Sequence, residues 1–264
     1  MTTRRSAATD LKWVISDALV LTRRNLIRYV RVPTLLMFST IQPVMFVLLF
    51  TFVFGGAIGA TTPGVEYIDF LIPGVFVQAT VFGSTNTGVG LADDMQKGLV
   101  DRFRSLPMSR SAVLAGRTTG DLFRNLFVVV LMTVVGTLIG FRFHAGAPKA
   151  VAALLLAALF GFAFSWISAT IGLAVKDVES AQAAGFVWVF PLVFASSAFV
   201  PVATMPGWLQ AFAEVQPITV TVDSIRALVL GGPIWTHLWK SLAWIIGILA
   251  VFIPLAIGRY RKAV

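Results

Sequence analysis

Six long apolar stretches constrain the fold of this chain more than any other feature of its sequence. An α-helix needs about 20 mostly apolar residues to cross a hydrocarbon core about 30 Å thick. The stretches that reach or approach this length are 35–54, 70–90, 122–141, 151–175, 183–203 and 241–258. In the fifth stretch Pro191 and Pro201 predict a kink, with neighbouring helices satisfying the freed carbonyl groups. Only 12% of the residues are charged, against about a quarter in a soluble domain. The sequence therefore predicts a single all-α integral membrane domain of six transmembrane helices over residues 1–264.

The Lys and Arg residues fall mainly in alternate gaps between these stretches, 17 on one side against 4 on the other. Because cytoplasmic loops carry the excess of Lys and Arg, this asymmetry predicts an even number of spans and both termini in the cytoplasm. We expect a multi-pass protein of the cell (plasma) membrane without a cleavable signal peptide, since the first apolar stretch is long enough to stay in the bilayer. Clustering of the charges between apolar stretches argues against a nucleic acid partner, despite the net charge of +9. The chain has no cysteine, which excludes thiol chemistry.

Residues 10–31, which precede the first apolar stretch, combine basic and apolar side chains. Leu11, Val14, Ile15 and Leu19 recur at helical spacing, and most of the Lys and Arg residues lie on other faces. A basic amphipathic helix of this kind lies in the plane of the lipid headgroups rather than crossing the membrane. The pattern favours an interfacial helix over a basic leader that only sets the topology.

The gap 91–121 is long enough to hold structure on the predicted cytoplasmic side. Met95, Leu99, Phe103 and Leu106 lie three or four residues apart and would form one apolar stripe on a helix. Pro107 lacks a backbone donor and is expected to end this helix. A short amphipathic helix suits docking into a groove of another protein. The pattern is equally typical of a helix that lies on the membrane or packs on its own bundle.

The gap 204–240 is the long one on the other side. Its segments 205–214 and 217–230 are each too short to span a membrane, and they contain Glu214, Asp223 and Arg226. Burial of one charge at the bilayer centre costs about 2.5–3.5 kcal/mol on insertion scales. We therefore expect short extracellular helices that dip into the outer leaflet, rather than an ordinary exterior cap.

The second apolar stretch carries more polar side chains than the others. A substrate path or a dimer interface there would use Gln42 on the first stretch and Gln78, Thr80, Ser84, Asn86 and Thr87 on the second. Close helix packing is the favoured alternative, because small residues such as Gly83 and Gly88 let helices approach and hydrogen bonds between helices hold them.

No segment fits the phosphate-binding pattern Gly-x-x-x-x-Gly-Lys-Ser/Thr, so we expect no ATPase site, no catalytic residue and no cofactor in this chain. A membrane-embedded enzyme or a metal site is disfavoured, because the two histidines, His144 and His237, lie far apart in the sequence and no His/carboxylate pair is evident. An ion-coupled secondary transporter is the main alternative function. Such proteins keep ionisable groups near the bilayer midplane, whereas every charged residue here is predicted at or beyond a helix end.

Three stretches resemble the type-2 permease family of ATP-binding-cassette (ABC) exporters, in particular the branch typified by the daunorubicin-resistance permease. They are Gly98 with Asp101-Arg102-Phe103 and Leu106-Pro107-Met108-Ser109-Arg110; Pro201 through Met205-Pro206-Gly207-Trp208-Leu209; and Gln216-Pro217-Ile218-Thr219 with Asp223 and Arg226-Ala227-Leu228. The similarity covers nearly the whole chain. The family often has Asn-Pro where this chain has Gln216-Pro217.

The resemblance implies an export function and a set of partners. The loop 91–121 would be a coupling helix that contacts an ATPase subunit through Asp94, Lys97, Gly98, Leu99, Asp101, Arg102, Phe103, Arg104, Leu106 and Pro107. The extracellular helix motif would comprise Pro206, Trp208, Gln216, Pro217, Asp223 and Arg226. Two ATPase subunits, which bind ATP and Mg²⁺, and a second permease subunit, identical or related, would complete the exporter. Its cargo would be amphipathic drugs, lipids or secondary metabolites, moved by alternating access.

Overall fold

The computed structural model describes residues 33–60, 64–98 and 110–263, together with positions 19, 20, 22, 23, 27 and 31. Within these residues the chain forms nine α-helices. They are α1 (Pro33–Leu48), α2 (Gly55–Gly59), α3 (Tyr67–Gln96), α4 (Arg110–Leu138), α5 (Ala147–Gly172), α6 (Val178–Phe194), α7 (Gly207–Ala213), α8 (Pro217–Leu230) and α9 (Trp235–Ala263). One π-helical segment, Leu49–Val53, continues α1, and a 3₁₀ turn, Val202–Thr204, precedes α7. The predicted all-α class is confirmed for the described residues.

The long helices are antiparallel to their neighbours in sequence, so the bundle has two distinct ends. We call the end with Gln96 of α3 and Arg110 of α4 the basic end, because the Lys- and Arg-rich gaps of the sequence lie there. The opposite end holds the start of α3 and the short helices α7 and α8. There the backbone N–H of His144 donates to the carbonyl of Val229 over 2.9 Å, which ties the α4–α5 turn to α8.

Helix α3 is the centre of the bundle and packs against α1, α4, α5, α6 and α8. Of its most apolar 18-residue window 89% is buried inside the protein, against 22% for the corresponding window of α9. The main core forms around α3 and includes Phe76, Phe160, Val189 and Ile225. The polar second stretch of the sequence is therefore the central helix, and most of its surface meets protein.

Four helices are long and apolar enough to cross a membrane. They are α3, the Val113–Leu138 part of α4, α5 and the Trp235–Arg261 part of α9, which overlap the second, third, fourth and sixth predicted spans. The shorter apolar helices Ser39–Val53 and α6 overlap the first and fifth predicted spans. The structure thus supports four of the six predicted spans, and the other two spans stay predictions.

The predicted cytoplasmic loop is shorter than expected, because α3 continues to Gln96 and α4 begins at Arg110. Of the residues predicted to contact an ATPase, Asp94 lies on α3, and Lys97 and Gly98 follow its last turn. The others, Leu99, Asp101, Arg102, Phe103, Arg104, Leu106 and Pro107, lie outside the described residues.

Most of the predicted interfacial helix 10–31 also lies outside the described residues. Within it, Thr22 is buried, and its hydroxyl donates a hydrogen bond of 3.2 Å to the carbonyl of Gly116. At Thr22 the segment before α1 therefore contacts α4.

The fifth predicted span is wrong at its end. Helix α6 stops at Phe194 instead of kinking at Pro191 and continuing to residue 203. The side-chain amide of Gln216 donates to the carbonyls of Leu192 and Ala195, both over 3.0 Å. These bonds give two of the last carbonyls partners outside the helix, which helps α6 to end inside the protein.

At its other end α6 begins with a capped first turn. The carboxylate of Asp177 accepts hydrogen bonds from the backbone N–H (2.7 Å) and the hydroxyl (2.9 Å) of Ser180. These bonds favour the charged form and hold the pKa of Asp177 below its usual value. The cap fixes where the chain turns from α5 into α6.

Glycines bring the backbones of α3 and α5 into direct contact near the basic end. A Cβ added at Gly88 would lie 2.4 Å from the carbonyl oxygen of Ser168, and one added at Gly172 would lie 2.3 Å from the carbonyl oxygen of Gly88. Side chains at these two positions would force the helices apart, so α3 and α5 can approach this closely only because both residues are glycine. This confirms the predicted close packing at Gly88.

Candidate functional site

A cavity of about 440 Å³ lies between α1, α3, α4 and α6, and it extends along α3 toward the basic end. Its volume falls in the range of about 300–1,000 Å³ that holds drug-sized ligands. The apolar part of the lining includes Pro43, Phe82 and Phe186, and its amides belong to Gln42, Gln78, Asn86 and Gln182. Its charged residues are Asp93, Arg117, Asp121 and Arg124. The cavity can therefore contact an apolar body and a polar group of the same molecule.

Gln78 is the most unusual residue of this lining. It lies in the middle of α3 and is fully buried, and neither its amide nitrogen nor its amide oxygen has a hydrogen-bond partner among the described residues. A buried amide without partners costs about 1–3 kcal/mol. A ligand that offers both an acceptor and a donor would remove this cost, so Gln78 is a candidate ligand contact.

The predicted path residues divide into two groups. Gln42, Gln78 and Asn86 line the cavity, whereas Thr80, Ser84 and Thr87 do not. The hydroxyls of Thr80 and Ser84 donate to carbonyls one turn earlier on α3, over 3.0 Å and 2.6 Å. The Ser84 hydroxyl also lies 3.4 Å from that of Ser168 on α5. These hydroxyls serve the packing of α3, and the amides on its other side face the cavity.

The charged end of the cavity is a network between α3 and α4. Thr87 donates to Asp121 over 2.5 Å, and a guanidinium nitrogen of Arg124 donates to the carbonyl of Gly83 over 2.6 Å. A second nitrogen of Arg124 lies 3.8 Å from the Asp121 carboxylate, and Arg117 forms an ion pair with Asp94. Each charged group thus has at least one polar partner on the other helix, although the buried Nε atom of Arg124 has none among the described residues.

The sequence prediction placed these charges at or beyond a helix end, and this is wrong for Asp121 and Arg124. Both lie about three turns or more inside α4 and are almost fully buried. The error arose because α4 begins well before its apolar stretch. Arg117, Asp121 and Arg124 lie four and three residues apart, and this spacing on one helix face was the signal that could have located the network.

A second polar cluster lies at the opposite end, on one face of α8. Gln216, Thr219, Asp223 and Arg226 are spaced three, four and three residues apart, so they form a polar stripe along this short helix. The stripe meets the turn that follows α6. The hydroxyl of Ser197 donates to Asp223 over 2.8 Å, and its backbone N–H donates to the Thr219 hydroxyl over 3.2 Å.

Arg226 connects this stripe to two further segments. Its guanidinium donates to the carbonyls of Phe70 (3.0 Å) and Ser197 (2.5 Å) and to the Asp223 carboxylate (3.0 Å). It also stacks on the Phe70 ring, with its central carbon 3.5 Å from the ring centroid. The motif residues Gln216, Asp223 and Arg226 therefore hold α8 against α3 and the end of α6.

The other residues of this motif play smaller parts. Pro206 precedes the first turn of α7, and Pro217 occupies the first turn of α8, where its missing N–H has no cost. Trp208 is 77% exposed on α7. The two predicted short helices are present, and their indole and phenyl groups at Trp208 and Phe212 face outward while Ile218 and Ile225 lie in the core.

Sequence reasoning also missed one His/carboxylate pair. The Nε2 atom of His144 lies 2.7 Å from a carboxylate oxygen of Asp69, whose other oxygen accepts from the backbone N–H of Arg142 over 3.1 Å. The two residues are far apart in the sequence, and no short spacing reveals them. Within the part of the chain that the structure describes, no group of three or more His, Asp or Glu side chains is arranged to hold a metal ion.

A bundle of long apolar helices around a cavity with a mixed polar and apolar lining defines a multi-pass membrane protein of the transporter class. The chain belongs to the ABC-2 type transporter family, whose model matches residues 17–230. The chain is thus a transmembrane permease subunit of an ABC transporter, which confirms the resemblance seen in the sequence.

Individual relatives agree with this assignment. Over 239 residues the chain is 37% identical to the daunorubicin resistance ABC transporter permease protein DrrB1 of Streptomyces coeruleorubidus, covering 90% of this chain and 84% of the relative. It is 28% identical over 256 residues to a probable doxorubicin resistance ABC transporter permease protein, DrrC, of Mycobacterium tuberculosis, covering 94% and 90%. A putative transport permease of Cyanophora paradoxa is 26% identical over 226 residues, covering 85% and 78%.

Proposed function

We propose that this permease exports amphipathic molecules with an apolar aromatic body and a polar group, by alternating access powered by ATP on a separate subunit. The cavity between α1, α3, α4 and α6 carries this proposal, because its lining combines Phe82 and Phe186 with the unpartnered amide of Gln78. The names of two relatives, which refer to resistance to daunorubicin and doxorubicin, support an amphipathic drug as cargo. Lipids and secondary metabolites have the same chemical character.

The proposed topology has six spans, with the basic end and both termini in the cytoplasm of the cell membrane. The excess of Lys and Arg supports this orientation. Helices α7 and α8 then lie on the outer side, and we propose that they dip into the outer leaflet. Burial of Ile218, Ile225 and Arg226 against the bundle supports this position over a cap that stands free in solvent.

The proposed partner at the basic end is an ATPase subunit, present in two copies alongside two permease subunits. Residues 97–109 connect α3 to α4, and the cavity lining reaches Asp93 near the end of α3 and Arg117 in the first part of α4. A subunit that grips this loop would therefore act on the two helices that line the substrate route. The ATP and Mg²⁺ would belong to that partner.

Substitution of Arg102 or Phe103 by alanine is expected to lower export about tenfold or more, because either change weakens the grip of the ATPase on this loop. Export of daunorubicin from cells and ATP hydrolysis by the purified complex would be measured together. Lys149→Ala, at an exposed position of α5 on the opposite end, is the control and should export normally. Normal export together with normal complex formation in both loop variants would remove the proposed coupling role.

Gln78→Leu is expected to raise the daunorubicin concentration for half-maximal transport about tenfold, since the ligand would lose hydrogen bonds in a buried site. ATP hydrolysis without drug should change less than twofold. The measurement is uptake into inside-out vesicles that contain the permease and its ATPase. Thr133→Val removes a hydroxyl that bonds only to the Val129 carbonyl on α4, and it serves as the control. An unchanged concentration dependence in the Gln78 variant would place the drug elsewhere.

An ion-coupled secondary transporter is a second candidate, and one observation favours it. Asp121 is buried inside α4 and lines the cavity, as a coupling carboxylate would. The hydroxyl of Thr87 and the guanidinium of Arg124 already partner this carboxylate, which favours the ATP-driven mechanism. Uptake driven by a proton gradient in vesicles that lack any ATPase would support the second candidate instead.

A further inference from the structure

Three polar contacts cross from α3 to α4 between the cavity and the loop 97–109. From the cavity toward the loop they are the Arg124 guanidinium on the Gly83 carbonyl, the Thr87 hydroxyl on the Asp121 carboxylate, and the Arg117–Asp94 ion pair. We call these three contacts the brace. They extend over the part of α3 from residue 83 to residue 94, which is about 17 Å long at a rise of 1.5 Å per residue.

The brace is built for contact between these two helices in particular. Arg117 lies over Gly90, where an added Cβ would be 1.6 Å from one of its guanidinium nitrogens. The missing side chain at position 90 therefore leaves the space that lets Arg117 reach Asp94 one turn further along α3. Asp121 and Arg124 are 3% and 4% exposed. Sliding or separating the helices would therefore remove the Thr87 hydroxyl from the buried Asp121 carboxylate and the Gly83 carbonyl from the buried Arg124 guanidinium.

Such contacts resist relative motion more than apolar packing does. Apolar side chains can slide past one another with little loss, whereas a buried ion pair or charged hydrogen bond holds one register. Both helices are also joined by the loop itself. At the basic end α3 and α4 are therefore consecutive helices that the brace holds together.

Most of the residues that form or adjoin the brace also belong to the cavity wall. Gly83 and Gly90 on α3 and Arg117, Asp121 and Arg124 on α4 all line the cavity. The last turns of α3 and the first turns of α4 connect the loop 97–109 to this wall, so a displacement of the loop acts on these turns. If these turns moved independently, the displacement would be absorbed before it reached the cavity.

We infer that the brace makes the basic halves of α3 and α4 a single rigid lever, which transmits movement of the loop 97–109 to the wall of the cavity. Asp94 and Arg117 are positioning residues in this mechanism, because their ion pair joins α3 to α4 and keeps the two helices in register. The inference rests on the proposed function, in which an ATPase grips this loop. It predicts that loss of the brace separates ATP hydrolysis from transport.

The test uses the complete complex of permease and ATPase in vesicles, with daunorubicin as the probe. Asp94→Asn and Arg117→Gln should each lower the amount of drug moved per ATP hydrolysed about tenfold. In Arg117→Gln, which lies outside the predicted ATPase contacts, ATP hydrolysis and complex formation should change less than twofold. Asp94→Arg combined with Arg117→Asp restores an ion pair in the reverse orientation and should recover at least half of the transport per ATP. Both side chains are partly exposed, at 22% and 17%, so the exchange of charges is sterically tolerable.

Arg259→Gln is the matched control. Arg259 also forms a hydrogen bond between helices at the basic end, to the carbonyl of Thr170 over 3.0 Å, but it joins α9 to α5. Its loss should leave transport per ATP unchanged. If Arg117 had a purely structural role, Arg117→Gln and Arg259→Gln would move the same amount of drug per ATP hydrolysed.

A covalent cross-link between α3 and α4 gives a second, independent measurement. The chain has no cysteine, so Asp94→Cys combined with Arg117→Cys introduces the permease's first two thiols. This variant should be uncoupled until a short bismaleimide joins the two positions, and then it should transport again.

Normal transport per ATP in the single variants would contradict the inferred role of the brace. Failure of both the charge exchange and the cross-link to restore transport per ATP would contradict it as well. Failure of the proposed function has a different signature, because the wild-type complex would then show no ATP-driven transport at all.

Discussion

Leucine in place of Gly88 is expected to prevent folding of the bundle, with a loss of at least about 3 kcal/mol in stability. A Cβ at this position would lie 2.4 Å from a backbone oxygen of Ser168, and backbone atoms cannot move aside as the end of a flexible side chain can. The helices would have to separate along their whole contact. Because α3 is the central helix, its displacement would also disturb its packing against α1, α4, α6 and α8.

The effect of Gly88→Leu would be measured as the fraction of permease that elutes as a single species in detergent and as its thermal stability. Gly172→Leu, on the other side of the same contact, should behave alike, since its Cβ would lie 2.3 Å from the carbonyl oxygen of Gly88. Gly247→Leu is the control, because a Cβ at this position of α9 meets no atom within 4 Å. Equal stability of the Gly88 and Gly247 variants would contradict the close contact of α3 and α5.

The positions of the long helices could be predicted from the sequence because a membrane span has a simple requirement, about 20 apolar residues in a row. This located α3, α4, α5 and α9, and the small residues around Gly88 correctly indicated close helix packing. The motif around Gln216 and Arg226 was also found, together with the two short helices that carry it.

Which face of each helix lies toward the cavity or toward its neighbours could not be predicted in the same way. A soluble helix shows its buried face by its apolar period, but a membrane helix is apolar on all sides. The sequence therefore did not reveal that Gln78 faces the cavity while Thr80 faces the packing of α3. The end of α6 was missed for a related reason, because the partner that stops it, Gln216, comes from a distant segment.

Removal of the Arg226 side chain is expected to destabilise the opposite end of the bundle by about 3 kcal/mol, because a buried arginine would leave its partners unsatisfied. The carbonyls of Phe70 and Ser197 would lose their donor, and Asp223 would lose its ion-pair partner. In Arg226→Leu, α8 should detach from α3 and from the turn after α6. Arg226→Lys should recover only a small part of the loss, because an ammonium group cannot reach these partners in one plane as a guanidinium does.

The unfolding free energy in mixed micelles, titrated with SDS, would measure this loss, and Arg142→Gln is the matched control. Arg142 also donates to two carbonyls at the same end, but they belong to its own turn, at Thr137 and Phe141, and the residue is exposed. Its replacement should cost less than about 0.5 kcal/mol.

The double variant Arg226→Leu with Asp223→Leu separates the ion pair from the carbonyl contacts. If the unpaired Asp223 carboxylate causes much of the loss, the double variant will be more stable than Arg226→Leu alone. Equal stability of the two would assign the loss to the carbonyls, since Asp223 is 30% exposed and water would then satisfy it. An Arg226 variant as stable as the Arg142 variant would mean that α8 holds its place by apolar packing, and that the polar stripe does not anchor it.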